Sequence, residues 1–197
     1  MKPLLPDDSL RAFLAKVAGD PELELEWIDL LSQLEYVGCR KIVRSVGFEA
    51  VSLDILRHVS EEASHAFLLK SVVEEAGLRG RSWREGRFSA PGWRYFQGLD
   101  RAVSALPAPE SLRYPGVSWA VERRVLVVYP AYLEVTRHEP LRRTLRRILA
   151  QEERHGEQFS AGGFPDGYRE KAAAIEESLW PEFIAGASAL APSPARR

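Results

Sequence analysis

The chain reads as an all-α domain: two antiparallel helical hairpins joined by one long crossover, with a short helix before them and another after. Three observations carry this reading. Apolar residues recur every three or four positions through most of the 197 residues. No stretch alternates apolar and polar as a half-buried strand would, and glycine or proline stands wherever a helical stripe stops. With 45% apolar and 28% charged residues, the composition is that of one globular domain, residues 1–197, large enough to bury a core.

Taken in order, Asp7 or Asp8 caps a first helix carrying Leu10, Phe13, Leu14 and Val17, ended by Gly19-Asp20-Pro21. A long helix over about residues 22–46 carries Trp27, Leu31, Leu34, Gly38 and Ile42 on one stripe, and Gly47 stops it. Asp54 or a neighbour starts the next, which carries Ile55, Val59, Ala66, Leu69 and Val73 to Gly77. The crossover, residues 78–116, is rich in Gly, Pro and aromatics; within it GWRYFQGLDRAVSALP predicts a short helix on Trp93, Phe96, Leu99 and Val103. A further helix runs over about residues 117–137 until His138-Glu139-Pro140, where Pro140 suits the first turn of the last core helix. That helix carries Leu141, Leu145, Ile148 and Phe159 and stops at Gly162-Gly163, closing a core of about residues 22–162. An amphipathic segment over about residues 168–184 follows, broken at Pro181, and residues 187–197 read as a frayed tail.

Charge and composition exclude several classes. The formal net charge of −1 argues against a nucleic-acid coat or a basic membrane-surface protein. Arg142, Arg143, Arg146 and Arg147 read as a solvated helix face, with RNA binding as the sharper alternative. A single cysteine, Cys39, excludes an intrachain disulfide and fits a reducing compartment. The start MKPLLPDDSL reaches Asp7 and Asp8 before any apolar run, unlike a signal peptide, and nothing approaches the ~20 apolar residues of a membrane span. The expected location is the cytoplasm.

The chemistry lies in EERHGEQF, residues 152–159. At about 100° per residue from Leu141, Leu145, Ile148 and Phe159 fall within roughly 40°, Glu152 falls at about 20°, and His155 about 40° to the other side. Glu152 therefore sits in the middle of a buried stripe, where an unpartnered carboxylate costs several kcal/mol. SEEASHAF repeats the spacing: Glu62 lies among Ile55, Val59, Ala66 and Leu69 with His65 three residues on, while Glu61 falls off the stripe. In an antiparallel hairpin, residues equidistant from the turn share a height. Counting back from the turn at His138-Glu139 points to Glu122, which shares a stripe with Leu126, Tyr129 and Leu133; Glu134 lies off it. Counting back from the turn near Phe48 points to Glu35. Glu35, Glu62, His65, Glu122, Glu152 and His155 would be ruinous together in a dry core, and two divalent metal ions would neutralise them.

This set resembles the ferritin-like di-iron carboxylate proteins, whose four-helix bundles take a Glu from each of two helices and a Glu-x-x-His from each of the other two. The resemblance covers roughly residues 22–162, with all six ligand types in order and a similar long crossover. It implies a ferritin-like four-helix bundle holding two iron ions, or manganese in one or both places, since mixed oxygen and imidazole donors suit both metals. It further implies glutamates that hold and bridge the metals, histidines that cap one metal each, dioxygen as co-substrate and a protein that supplies electrons. The other ring nitrogens of the histidines should meet outer oxygens; Asp54, Glu153 and Glu157 are the acids near enough in sequence to ask about.

The expected function is a di-iron oxidase or oxygenase acting on a small organic substrate; the alternative is a ferroxidase-type iron or manganese binder without one. Trp83, Phe88, Trp93, Tyr95 and Phe96 in the crossover suit a pocket cover or a homodimer contact better than a plain ferritin loop. One cysteine cannot build the additional cysteine-ligated iron domain of rubrerythrins. A metal-free bundle is disfavoured because no Arg or Lys sits centrally on the four apolar stripes. His58, four residues before Glu62 and leaning toward the same face, is expected beside the site, with an extra ligand or a proton relay as the alternative; Tyr129 and Tyr132 are expected as packed residues with bonded hydroxyls, Cys39 as a small buried residue and Pro130 as a kink.

Overall fold

The computed structural model describes residues 4–161 and 163–191, and the side chains of all of these except 158–161. The described residues form seven α-helices and no strand: α1 (Asp8–Ala18), α2 (Pro21–Ser45), α3 (Leu53–Glu75), α4 (Ser89–Ser104), α5 (Arg113–Val135), α6 (Glu139–Ala161) and α7 (Tyr168–Leu190). Their starts are written in short polar side chains. Asp7 accepts the Leu10 amide at 2.7 Å, Asp20 accepts those of Glu22 and Leu23 with Pro21 in the first turn, and Ser52 accepts that of Ile55. Each satisfies amides that a helix leaves without an internal partner.

Cross-helix contacts fix the directions of α2, α3, α5 and α6. Ser32 Oγ donates to the Ala66 carbonyl at 2.7 Å, Gly38 faces Glu62, and Cys39 Sγ donates to the Val59 carbonyl at 3.6 Å. As α2 advances its partners in α3 recede, so the pair is antiparallel about the turn at Phe48. The same holds for α5 and α6, where Arg142 donates to the Leu133 carbonyl and Gly156 faces Leu126. Glu24 meets Thr136 at the end of α5 while Glu35 meets Tyr129; Glu61 of α3 meets His155 of α6 while His65 meets Gln151. Each of the four helices thus packs antiparallel on two of the others.

The remaining helices build a second apolar centre around α2. Phe13 of α1 and Phe88, just before α4, meet Trp27 edge-on at 4.9 and 5.8 Å, and Phe183 of α7 stacks on Trp27 at 6.1 Å. The crossover aromatics therefore divide. Phe88, Tyr95 and Phe96 are buried core residues, whereas Trp93, expected on the buried stripe, is 49% exposed. The covering helices also bury charge that the stripes did not predict. Arg124 holds the fully buried Glu176 through two 2.8 Å hydrogen bonds, and Tyr95 donates to the same carboxylate at 2.5 Å. A cation does sit inside α5, but α7 claims it.

Several helix limits differ from the sequence reading, and α5 starts at Arg113, inside the expected crossover, rather than near residue 117. Helix α7 continues through Pro181 to Leu190, beyond the expected break and end, because Trp180, Phe183, Ile184 and Ala187 are buried on both sides of the proline. Packing there outweighs the ~3 kcal/mol that an interior proline costs. Helix α5 likewise passes through Pro130, whose side is exposed. Residues 192–197, Gly162 and the Phe159 side chain lie outside the described residues. No described helix is long and apolar enough to cross a membrane.

Removing Phe88 tests the core role of the crossover. Phe88→Ala should cost about 3–5 kcal/mol in urea unfolding, and Trp93→Ala within about 0.5 kcal/mol. The opposite ranking would make the crossover a cover laid over a core complete without it.

Candidate metal centre

All six residues singled out in the sequence lie buried at one place between α2, α3, α5 and α6. They fall into two groups that share Glu62. Glu35, Glu62, His65 and Glu152 form one; Glu62, Glu122 and His155 form the other together with His58, and the donor atoms within each group lie within 4.8 Å of one another. Glu134, the acid passed over for Glu122, is exposed and pairs with Arg11 at 3.5 Å.

His58 is the member placed differently from the sequence reading. It is buried, its Nε2 lies 3.2 Å from Glu62 Oε1 and 3.4 Å from Glu122 Oε1, and its ring is 4.1 Å from that of His155. The signal was available: His58 stands four residues before Glu62, one turn away on the same face, so α3 carries His-x-x-x-Glu-x-x-His.

Each of the three histidines turns one nitrogen to the carboxylates and the other to an outer oxygen. His155 Nε2 lies 2.6 Å from Glu61 Oε2; a carboxylate only accepts, so Nε2 carries the proton and Nδ1 faces inward. Gln151 donates its amide to Glu61 at 3.1 Å, leaving its carbonyl oxygen to accept from His65 Nε2 at 2.9 Å. His65 Nδ1 then points at Glu152 Oε1, 3.0 Å away, and Glu35 Oε2, 3.5 Å away. His58 Nδ1 meets the Tyr114 hydroxyl at 2.5 Å; a hydroxyl can donate or accept, so either His58 tautomer fits. Glu61, expected to lie clear of the site, is therefore the acid that orients His155 and, through Gln151, His65. Asp54, Glu153 and Glu157 do not take that role: all three are exposed, and Asp54 pairs with Arg57.

The inward atoms face one another, His65 Nδ1 and Glu152 Oε1 at 3.0 Å and His155 Nδ1 and Glu122 Oε2 at 3.6 Å, without hydrogen-bond geometry. His65 Nδ1, His155 Nδ1, Glu122 Oε2 and Glu152 Oε1 are buried and make no hydrogen bond among the described residues. Among those residues the ion-pair partners of the four glutamates are histidines, not Arg or Lys. Four carboxylates and three imidazoles thus make two buried groups that could hold a metal ion, with Glu62 common to both.

Titration follows the same crowding. Burial, then the neighbouring Glu152 charge, raises Glu62 and Glu122 well above the ordinary carboxylate range. Burial opposes charge on His65, yet the Glu152 and Glu35 carboxylates outweigh it and raise the imidazole to about 11. Burial likewise opposes Glu152, and the His155 and His65 imidazoles overcome it and hold that carboxyl low. Burial, helped by His155, pushes His58 down to about 4, leaving it neutral with a lone pair to offer. Protons thus occupy the metal-free cluster where cations would sit.

Two features make room. A Cβ on Gly38 would meet Glu62 Oε2 at 2.7 Å, so the bare α-carbon lets the shared carboxylate lie against α2. Tyr129 donates its hydroxyl to Glu35, and the expectation of a packed tyrosine with a bonded hydroxyl holds there. A cavity of about 450 Å³ opens between exposed Arg44, Ser45 and Arg113 and reaches Glu35, His58, Glu62, Glu122 and Glu152. A second, of about 80 Å³, lies behind it among Trp27, Leu31, Val128 and Phe183, and the two share Glu35, Gly38, Glu62, Phe96, Val121 and Val125 on their walls. Comparison of the chain with protein families, with curated proteins and with solved structures finds no match.

Two outcomes are expected. Gly38→Ala should leave the metal-free melting temperature unchanged or higher, since alanine favours a helix by up to ~1 kcal/mol over glycine. It should also weaken manganese binding measured by calorimetry; unchanged affinity would show that the close approach has no role. The second outcome is a pH dependence. The folded metal-free chain keeps a proton on His65 that the unfolded chain releases above 6.5, so its contribution to stability falls as pH rises toward about 11. Between the unfolded His value of 6.5 and pH 9, urea stability should drop by about 1.4 kcal/mol per pH unit for the retained proton. Glu152 and His58, whose folded values are lowered, lose their contributions only on acidification and leave this window untouched. Saturating manganese displaces that proton and should remove the slope; equal slopes with and without metal would overturn the assignment.

Proposed function

We propose that the protein is a ferritin-like di-metal oxidase, a four-helix bundle whose two iron ions activate dioxygen to oxidise a small organic substrate. Glu35, Glu62, His65 and Glu152 would hold one metal, and His58, Glu62, Glu122 and His155 the other, with manganese able to replace iron in either place. The observation that carries this reading is the cavity: about 450 Å³, the size of a small-molecule site, running from the surface to the carboxylates themselves. A ferroxidase that only passes iron needs no such chamber.

The metals would supply the electrons that reduce dioxygen, replenished by a partner protein. The chain supplies orientation and a dry wall. Glu61 and Gln151 accept from the outer nitrogens of His155 and His65, so that once a metal displaces the inward protons the remaining one sits outside and both rings are set for ligation. Tyr129 restrains Glu35 through its hydroxyl, and Tyr114 does the same for His58. Phe96, Val121 and Val125 line the approach, limiting water beside the carboxylates.

The test loads the protein anaerobically with ferrous iron and admits air. Oxygen uptake and an absorption band of coupled ferric ions are expected. Glu62→Ala should abolish both, Glu134→Ala should abolish neither, and Glu61→Ala should weaken iron binding about 10–100-fold through loss of the His155 anchor. Uptake strictly proportional to added iron, with mineral inside a large assembly, would establish the ferroxidase instead. Absence of both uptake and band would end the oxidase reading.

A further inference from the structure

We infer that the substrate class is an amphipathic organic anion: a carboxylate on a chain or ring system whose apolar end lies beside the metal-site glutamates. This rests on the oxidase reading for its reaction, but its evidence is the shape and charge of the cavity.

The cavity has a charged end and a mixed wall, in which Ile42, Phe96, Val117 and Val121 stand beside Gln97, Ser104, Tyr114 and Ser118. On α2, Arg44 stands nine residues beyond Glu35; on α5, Arg113 stands nine residues before Glu122. Because α2 and α5 run antiparallel, both arginines lie toward the same end, each about 14 Å along its helix from the glutamates at a rise of 1.5 Å per residue. Both are exposed and both line the cavity, so they mark its mouth.

Charge at the mouth decides the sign of the ligand. Two acids also line it, but Asp100 lies 2.5 Å from Lys41 Nζ, and Glu110 is engaged with Arg113 at 3.3 Å. Arg44 makes no ion pair among the described residues, so the mouth carries one uncompensated positive charge. A guanidinium there donates two parallel hydrogen bonds to a carboxylate, and neither an alcohol nor an ammonium group can replace that contact. At the other end, the 80 Å³ chamber among Trp27, Leu31, Val128 and Phe183 receives an apolar terminus and offers no cation for a second anion other than Arg124, which Glu176 already holds. The ligand that fits has one anionic end, held by the arginine side chains that reach in from the mouth, and one apolar end directed toward the glutamates.

The experiment titrates n-octanoate, n-octanol and n-octylammonium into the full-length protein, metal-free and manganese-loaded, by calorimetry. Octanoate should bind at least tenfold more tightly than either analogue, and Arg44→Glu should remove that preference while leaving octanol binding within twofold. Arg113→Glu should also reduce octanoate binding, because it adds an acid at the mouth and frees Glu110 from its pair. Arg143→Glu, an equal charge change on the exposed face of α6, should alter nothing. Equal binding of the three probes, or an Arg44→Glu variant that keeps the preference, would overturn the inference even if iron-loaded protein consumes oxygen. Selective octanoate binding by protein that forms no coupled ferric site would sustain the inference and remove the oxidase reading alone.

Discussion

Four carboxylates buried beside one another repel, and the rest of the centre is arranged around that repulsion. Glu35, Glu62, Glu122 and Glu152 each come from a different helix, so holding the four helices together means holding the four charges together. No arginine or lysine among the described residues relieves them. Three histidines do so in part, and protons raised onto Glu62, Glu122 and His65 do the rest in the metal-free state. A buried cluster satisfied only by protons is a poor source of stability and a good receptor for cations.

The contrast with the protein's other buried charges sharpens the point. Glu176 has Arg124, Asp29 has Lys70 at 2.7 Å, and Glu26 has Arg81 at 2.5 Å and the Arg87 amide at 2.9 Å. These three acids are each matched to a fixed cation, while buried Glu24 accepts from the hydroxyls of Tyr132 and Thr136. The sequence contains 27 Lys and Arg, enough to supply the metal-site glutamates too. That they are instead faced by imidazoles, whose outer nitrogens are tied to Glu61, Gln151 and Tyr114, is what separates a ligand-competent cluster from a set of structural ion pairs.

The sequence by itself determined the helices and the depth of six residues. Helical periodicity places Glu62 and Glu152 inside apolar stripes, and equal distance from a turn places Glu35 and Glu122 at their height; both are local geometry, which the chain carries in its spacing. Stop and cap signals at Asp7, Asp20, Gly47 and Pro140 set most helix ends for the same reason. What only the tertiary structure decided involves groups brought together by distant segments. His58 joins the cluster because Tyr114 and Glu122 of α5 close over it, Glu61 serves His155 from another helix, and Arg124 is consumed by Glu176 of α7. Helix α7 survives Pro181 and Trp93 is left in solvent because the facing surfaces, not the stripes, choose what is buried. A stripe tells which side of one helix is apolar; it does not tell how many neighbours the helix has, and α2 and α5 have enough to bury charge on more than one side.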